Sequence, residues 1–337
     1  MNVQLSASHE TSRLGIMHLK RYWEKQQAIK NRQLNNVEIP DEWSLDDTLL
    51  AALNLGLEQT IRHLYVSDPT LQEFEDWILE LNGGIIPEKN IRQFNSYILN
   101  DCKTKKREIE QVLSDEDLRF WDQNGYLIIR QVIQKADCEE AVKVICDFID
   151  ADLDHPETWY KTHPAKQGVM VQLFQHEILE KNRQSDKIRR VYEQLWNRTD
   201  LWLNTDRCGF NPPVTETYTY QGFPMHWDVS LKQPMPFGLQ GILYLTDTSE
   251  DQGAFTLVPG FHNKIEQWLT NLPEGENPRT QDFYALGAKP IAANAGDFII
   301  WHHALPHGSS PNLAHSPRIV QYINYSPADM DIEKEWI

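Results

Sequence analysis

Residues Gly238–Val258, GLQGILYLTDTSEDQGAFTLV, place two short apolar runs, Gly238–Leu245 and Ala254–Val258, on either side of a polar, turn-forming stretch. Short runs of this kind, bounded by Gly, Pro, Asn and Asp, read as strands rather than helices. The same texture holds from about residue 200 onward, in Glu216–Tyr220, Asp297–Trp301 and Ile319–Tyr325. Many short strands with turn punctuation mean a sandwich or barrel. The expected architecture is a double-stranded β-helix, a jelly roll.

Upstream of this region the pattern changes. Leu113-Ser-Asp-Glu-Asp followed by Leu118, Phe120 and Trp121 predicts a capped amphipathic helix stopped at Asn124-Gly125. Tyr126–Arg130 reads as a strand and residues 136–150 as a helix. The first 110 residues read as helices throughout. Ser44 and Asp47 resemble a capping box ahead of one long stripe, Leu45, Leu49, Leu53, Leu57, Ile61 and Leu64. Asp68-Pro69 opens a helix with Leu71, Phe74, Trp77, Ile78 and Leu81. Pro87 opens the next, with Ile91, Phe94, Tyr97 and Ile98. The division expected is a helical region, 1–110, and a jelly-roll domain, 111–337.

The 337 residues carry a net charge of −17. That argues against a nucleic-acid binder, because phosphate neutralisation needs clustered Lys and Arg. Lys103, Lys105, Lys106 and Arg107 do cluster, but acidic residues follow, so a solvated helix face is expected there. No apolar run is long enough for a membrane helix. The N-terminus lacks the apolar core of a secretory signal. Cys102, Cys138, Cys146 and Cys208 have no CxxC spacing, which suits a reducing compartment. A cytoplasmic protein acting on a small molecule, without nucleic-acid or membrane partners, is expected.

Two segments carry chemistry: Phe223-Pro-Met-His226-Trp-Asp228, and Leu305-Pro-His307-Gly-Ser-Ser-Pro-Asn312 followed by Arg318. Residues i and i+2 of a strand share a face, so His226 and Asp228 can aim at one metal from a strand end while Trp227 faces away. Two imidazoles and a carboxylate form the facial set that suits Fe(II) with open positions, and His307 supplies the third group. Arg318 offers the planar, permanently charged fork that best holds a carboxylate. It is expected to open a strand paired with the one leading to His307. Of His302 and His303, one should face the core and the other the surface. His262 should be a hydrogen-bonded structural residue, and Trp159, Tyr160, Tyr218, Tyr220 and Trp227 core rather than pocket. No GxSxG elbow, GxGxxG or Walker loop is present.

From Leu113 to Pro327 the chain resembles the phytanoyl-CoA dioxygenase family of Fe(II)/2-oxoglutarate enzymes. The resemblance rests on five ordered motifs. They are Trp121-Asp-Gln-Asn-Gly-Tyr-Leu-Ile-Ile-Arg130, Met225-His-Trp-Asp228, Gly253-Ala-Phe-Thr-Leu-Val-Pro-Gly-Phe-His262, Gly296-Asp-Phe298 and His307-Gly-Ser-Ser-Pro-Asn312. Phe261 departs from the Ser usual in the third. The resemblance implies Fe(II) on His226, Asp228 and His307, 2-oxoglutarate on Arg318, and hydroxylation of an aliphatic C–H of a small-molecule or carrier-bound metabolite. Related halogenases have Gly or Ala where Asp228 stands. Desaturation or cyclisation by the same groups, a cupin-like protein that binds metal without redox chemistry, and a non-catalytic scaffold stay open as alternatives. The family name does not transfer its acyl-CoA substrate. Residues 1–110 lie outside the resemblance and hold no ligand cluster in the sequence.

Overall fold

The computed structural model describes residues 4–34, 39–101 and 107–337. The chain separates into two compact units. One comprises residues 1–108 with 199–205 and 326–330; the other comprises the remainder. Among the described residues, no helix is long and apolar enough to cross a membrane.

The first unit is built on helices α1 (Leu19–Lys30), α2 (Trp43–Ala52), α3 (Leu57–Ser67), α4 (Leu71–Leu81) and α5 (Glu88–Ile98). Their apolar stripes meet in one core that includes Leu49, Leu53, Leu64, Phe74, Ile78 and Phe94. Helix α4 starts at a capping box, with Thr70 Oγ1 accepting from Glu73 N and the Glu73 carboxylate accepting from Thr70 N at 2.8 Å. The long stripe expected from Leu45 to Leu64 is two helices. Asn54 adopts φ 53°, and Leu55 N turns back to Leu50 O at 2.9 Å, a local closure that ends α2. Ser44 lies inside α2 rather than at its cap, because its hydroxyl donates to Met330 O at 2.8 Å. Lys103, Lys105, Lys106 and Cys102 lie outside the described residues, and Arg107 is exposed in an irregular segment rather than a helix.

The second unit begins with α6 (Asp115–Asn124), β1 (Tyr126–Ile129) and α7 (Lys135–Phe148). It continues through β2 (Lys166–Gln167), β3 (Met170–Val171), α8 (Glu177–Arg183) and α9 (Asp186–Trp196). After β4 (Leu201–Asn204), which belongs to the first unit, come β5 (Cys208–Asn211), β6 (Leu239–Tyr244), β7 (Phe255–Leu257), α10 (Ile265–Asn271), β8 (Lys289–Pro290) and β9 (Phe298–His302). The chain closes with β10 (His307–Ser309), β11 (Arg318–Tyr322) and β12 (Asn324–Pro327). Helix α6 is capped by Ser114 and ended by Gly125 at φ 73°. A methyl group on Gly125 would lie 2.5 Å from His262 Nδ1, so both backbone and space demand glycine there.

The strands form a large antiparallel sheet, β1-β9-β6-β11-β5-β3-β2, and a small one, β10-β7-β8; β12 and β4 make a separate pair. Ile242, Tyr244, Ile299, Trp301 and Val320 of the large sheet share one core with Phe255 and Leu257 of the small sheet. This two-sheet arrangement is the jelly roll. The opposite face of the large sheet is also dry: Leu243, Phe298, Ile300 and Ile319 are fully buried. Tyr192 of α9 packs on Phe298 with ring centroids 6.1 Å apart. Burial on both faces explains why these strands read as continuous apolar runs instead of alternating.

Two expectations about strands fail. Glu216–Tyr220 is irregular, because Thr215 Oγ1 accepts from Thr217 N (3.3 Å) and Tyr218 N (3.0 Å) and folds the segment into a turn. Strand β11, which begins at Arg318, pairs with β5 and β6. It does not pair with β9, which leads to His307, because β6 lies between them.

Candidate metal centre

His226 stands in no strand. It is held by reciprocal backbone hydrogen bonds with His307, His226 N to His307 O at 2.8 Å and His307 N to His226 O at 2.9 Å. This single antiparallel bridge brings the two sequence segments together. Gly308 eases the close approach, since a methyl there would lie 3.3 Å from Met225 Cα and Pro224 O, a tight contact. Trp227 turns the other way, as alternation predicts. It is buried, its indole donates to Ala304 O at 2.9 Å, and its ring meets Phe283 at 5.2 Å.

The imidazoles are oriented by the carbonyls beneath them. His226 Nδ1 lies 2.7 Å from Pro224 O, and His307 Nδ1 3.1 Å from Leu305 O. A carbonyl only accepts, so each Nδ1 carries a proton and each ring turns its Nε2 into the site. Both Nε2 atoms converge on one carboxylate: His226 Nε2 is 3.3 Å from Asp228 Oδ1, and His307 Nε2 is 3.2 Å from Asp228 Oδ2. One ligand atom from each of the three residues lies within 4.8 Å of the others. Burial pushes the Asp228 carboxyl up, but hydrogen bonds from His226 and His307 outweigh it and hold the group well below the usual carboxylate range. At His226, burial acts downward and the neighbouring carboxylate prevails, so its value is raised. The set is closed on one side and open on the other. The His307 side chain is 6% exposed, those of His226 and Asp228 36% and 47%.

Two supporting residues have no motif in the sequence. Gln240 Nε2 donates to Asp228 Oδ2 at 2.6 Å. Arg279, in a 3-10 turn at Pro278–Thr280, donates to Trp227 O (3.0 Å) and Val229 O (2.8 Å), clamping the backbone on both sides of Asp228. A lone Gln and a lone Arg carry no spacing signal; only the folded register brings them here.

Arg318 is 1% exposed, and among the described residues its Nε, Nη1 and Nη2 have no hydrogen-bond partner. A buried guanidinium without a counter-charge is costly. Three phenols share its surroundings. Burial pushes Tyr220, Tyr322 and Tyr244 up, the last to about 12, and the Arg318 charge opposes that rise at each. Tyr220, expected in the core, is only half-buried, and its hydroxyl donates to Ser309 O at 2.7 Å. Tyr160 and Tyr218 are likewise half-buried, whereas Trp159 and Trp227 are core residues. The open fork of Arg318 matches a planar carboxylate, and the His, Asp, His donor set matches Fe(II).

The remaining histidines fall elsewhere. His303 is buried against Pro236 O. His302 is half-buried among Trp121, Phe237 and His262 rather than at the surface. His262 hydrogen-bonds the backbone of Asp122, and among the described residues its Nδ1 has no partner. In the first unit His18, Glu42 and Asp46 also bring three ligand-type atoms together. There Lys25 Nζ already lies against both carboxylates, 3.2 Å from Glu42 Oε2, so an ammonium occupies the place of a cation.

The sequence profile of phytanoyl-CoA dioxygenase (PhyH) matches residues 121–320, more than half of the chain. A putative phytanoyl-CoA dioxygenase of Dictyostelium discoideum is 26% identical over 259 residues, covering 62% of this chain and 74% of that protein. Among solved structures, EctD from S. alaskensis aligns at TM-score 0.48 and 14% identity, over 68% of this chain and 82% of that one. HygX from Streptomyces hygroscopicus, solved with nickel and 2-oxoglutarate, aligns at 0.47 and 17%, over 64% and 88%. The carbocyclase SnoK from nogalamycin biosynthesis aligns at 0.46 and 18%, over 66% and 87%. These structural likenesses are too distant to carry function. The profile match covers β1, both histidine-bearing segments and the start of β11, and by it this chain belongs to the phytanoyl-CoA dioxygenase family of Fe(II)- and 2-oxoglutarate-dependent oxygenases.

Proposed function

We propose that this protein is a 2-oxoglutarate-dependent hydroxylase in which His226, Asp228 and His307 hold Fe(II) and Arg318 takes the far carboxylate of 2-oxoglutarate. The observation that carries the reading is the convergence of both histidine Nε2 atoms on Asp228 through the His226–His307 bridge. The orphaned guanidinium of Arg318 supports the cosubstrate half.

When bound, the iron and 2-oxoglutarate supply oxygen activation, with succinate and CO2 as the coproducts. The chain supplies geometry and electrostatics. Pro224 O and Leu305 O fix the imidazole planes, so little reorganisation is needed on binding. Trp227 and the core behind it keep water from the closed side. Arg318 holds the cosubstrate by a charge-assisted fork inside the sheet pair, where competing water is scarce. Asp228 fills the place a halide would need, which favours hydroxyl transfer over halogenation. The substrate is a small molecule or a carrier-bound metabolite, and residues 1–110 serve as a helical region without catalytic groups of their own. Desaturation or ring closure would use the same groups and is separated by its product.

The test is a screen of metabolite pools for substrate-stimulated succinate release by the Fe(II)-loaded protein, with product mass. A product heavier by one oxygen is expected, and its formation should vanish in His226→Ala. A product two hydrogens lighter would replace hydroxylation with desaturation, and absence of any 2-oxoglutarate turnover would refute the enzyme.

A further inference from the structure

Asp228 sits on a loop without regular structure, and its side chain is 47% exposed. Nothing in that backbone fixes which carboxylate oxygen a cation would meet. Resting on the metal reading above, we infer that Gln240 is a positioning residue: it engages Asp228 Oδ2 and leaves Oδ1 as the oxygen presented to the metal.

In the β6–β9 ladder Gln240 lies directly opposite Trp301, so their side chains share the inner face of the sheet. Trp301 Nε1 is 3.2 Å from Gln240 Oε1. An indole N–H can only donate, so the amide must present its oxygen to Trp301 and its nitrogen elsewhere. Elsewhere is Asp228 Oδ2, at 2.6 Å. Flipping the amide would set donor against donor at Trp301 and carbonyl against carboxylate at Asp228. Both contacts would be repulsive, so the orientation is fixed by the indole. A carboxylate with two free oxygens can chelate a cation through both and occupy two positions. Oδ1 faces His226 Nε2 at 3.3 Å and Oδ2 faces His307 Nε2 at 3.2 Å, so the Gln240 amide is what makes the two oxygens unequal; with Oδ2 engaged by it, Asp228 would bind a cation through Oδ1. Arg279 fixes the loop backbone, Gln240 the carboxylate, and Trp301 the amide.

The experiment uses the full chain, metal-free, titrated anaerobically with Fe(II) and, separately, with Co(II) followed by its visible absorption. Gln240→Met keeps the bulk and removes the amide. The expected result is Fe(II) affinity weaker by about 10- to 100-fold, the usual size of losing an outer hydrogen bond to a metal ligand, with a changed Co(II) band. Ile242→Val, one inner-facing step along β6, is the control: it lowers the melting temperature and leaves affinity and spectrum in place. Should Gln240→Met fail to fold, Trp301→Phe frees the amide to rotate and must weaken affinity in the same direction. If wild type binds Fe(II), His226→Ala loses it, and both Gln240→Met and Trp301→Phe keep wild-type affinity and spectrum, the inference is overturned while the triad stands. If wild type and His226→Ala are equally unable to bind, the triad reading falls and takes this inference with it.

Discussion

Replacing Arg318 with Ala should separate two energies that usually act together. The guanidinium is 1% exposed, and among the described residues its three nitrogens have no hydrogen-bond partner, so burying it is costly. With 2-oxoglutarate present it gains a bidentate, charge-assisted pair away from water. Removing one member of such a pair costs about 2–5 kcal/mol. At about 1.4 kcal/mol per tenfold, Arg318→Ala should bind 2-oxoglutarate roughly 30- to several-thousand-fold more weakly. Arg318→Lys keeps the charge but not the fork and should fall between. Arg318→Met fills the space without charge, and should raise the stability of the cosubstrate-free protein by about 1–4 kcal/mol, as exchanges of buried ions for apolar groups often do. The assay is anaerobic titration of 2-oxoglutarate into each Fe(II)-loaded variant, paired with thermal melts with and without 2-oxoglutarate. Wild type should melt higher with 2-oxoglutarate, and Arg318→Met higher than wild type without it. An Arg318→Ala variant that binds 2-oxoglutarate as tightly as wild type would refute the assignment.

Single Ala substitutions at His226, Asp228 or His307 should abolish Fe(II) binding by anaerobic calorimetry while far-UV circular dichroism stays native; retained affinity at any one removes that residue from the set. Asp228→Gly should bind chloride beside the metal, seen as a chloride-dependent change in the Co(II) spectrum, and a wild-type hydroxylation rate in this variant would mean the carboxylate is not a ligand. Burial depresses His302 to about 3 and His303 to about 4. Their neutral forms are therefore favoured by the fold: stability is whole above about pH 6.5 and falls as the pH drops toward 4, by about 1.4 kcal/mol per pH unit for each. Urea midpoints of the metal-free protein at pH 7 and 5 measure that slope, and His302→Asn should remove about half of this contribution; an unchanged slope would show that His302 gives none. Gly125→Ala meets both a positive φ and a 2.5 Å approach to His262, and should cost about 2 kcal/mol or more of unfolding free energy, read from the same urea titrations.

Much of the fold was legible because its strands are short, apolar and punctuated. Gly238–Leu245, Ala254–Val258 and Asp297–Trp301 each match an observed strand to within a residue or so at either end. Helix α6 was legible from its chemistry, Ser114 at the start and Gly125 at the end. The misses have local causes. Glu216–Tyr220 has strand-forming residues, but the Thr215 hydroxyl offers the backbone a turn instead. The stripe from Leu45 to Leu64 has helical spacing throughout, and the break at Asn54 comes from one residue's conformation, not from hydropathy. Helices α8 and α9 went unread although Ile188, Val191 and Tyr192 mark a buried face. At the site, the His-x-Asp and distal His were visible as residue types. Which strand flanks Arg318, and which side chain holds the Asp228 carboxylate, depend on sheet order, and that is a property of pairings distant in sequence.

The reciprocal bond between His226 and His307 has a consequence for the order of events in the cell. The two histidines are 81 residues apart, and everything from β6 to β9 lies between them. During synthesis no complete metal site can exist until His307 has left the ribosome and closed against His226. On the proposed metal reading, iron capture would be a late step that follows folding of the whole intervening segment. The amides of His226 and His307, locked to each other's carbonyls, should rank among the slowest-exchanging outside the large sheet, and bound metal should slow them further.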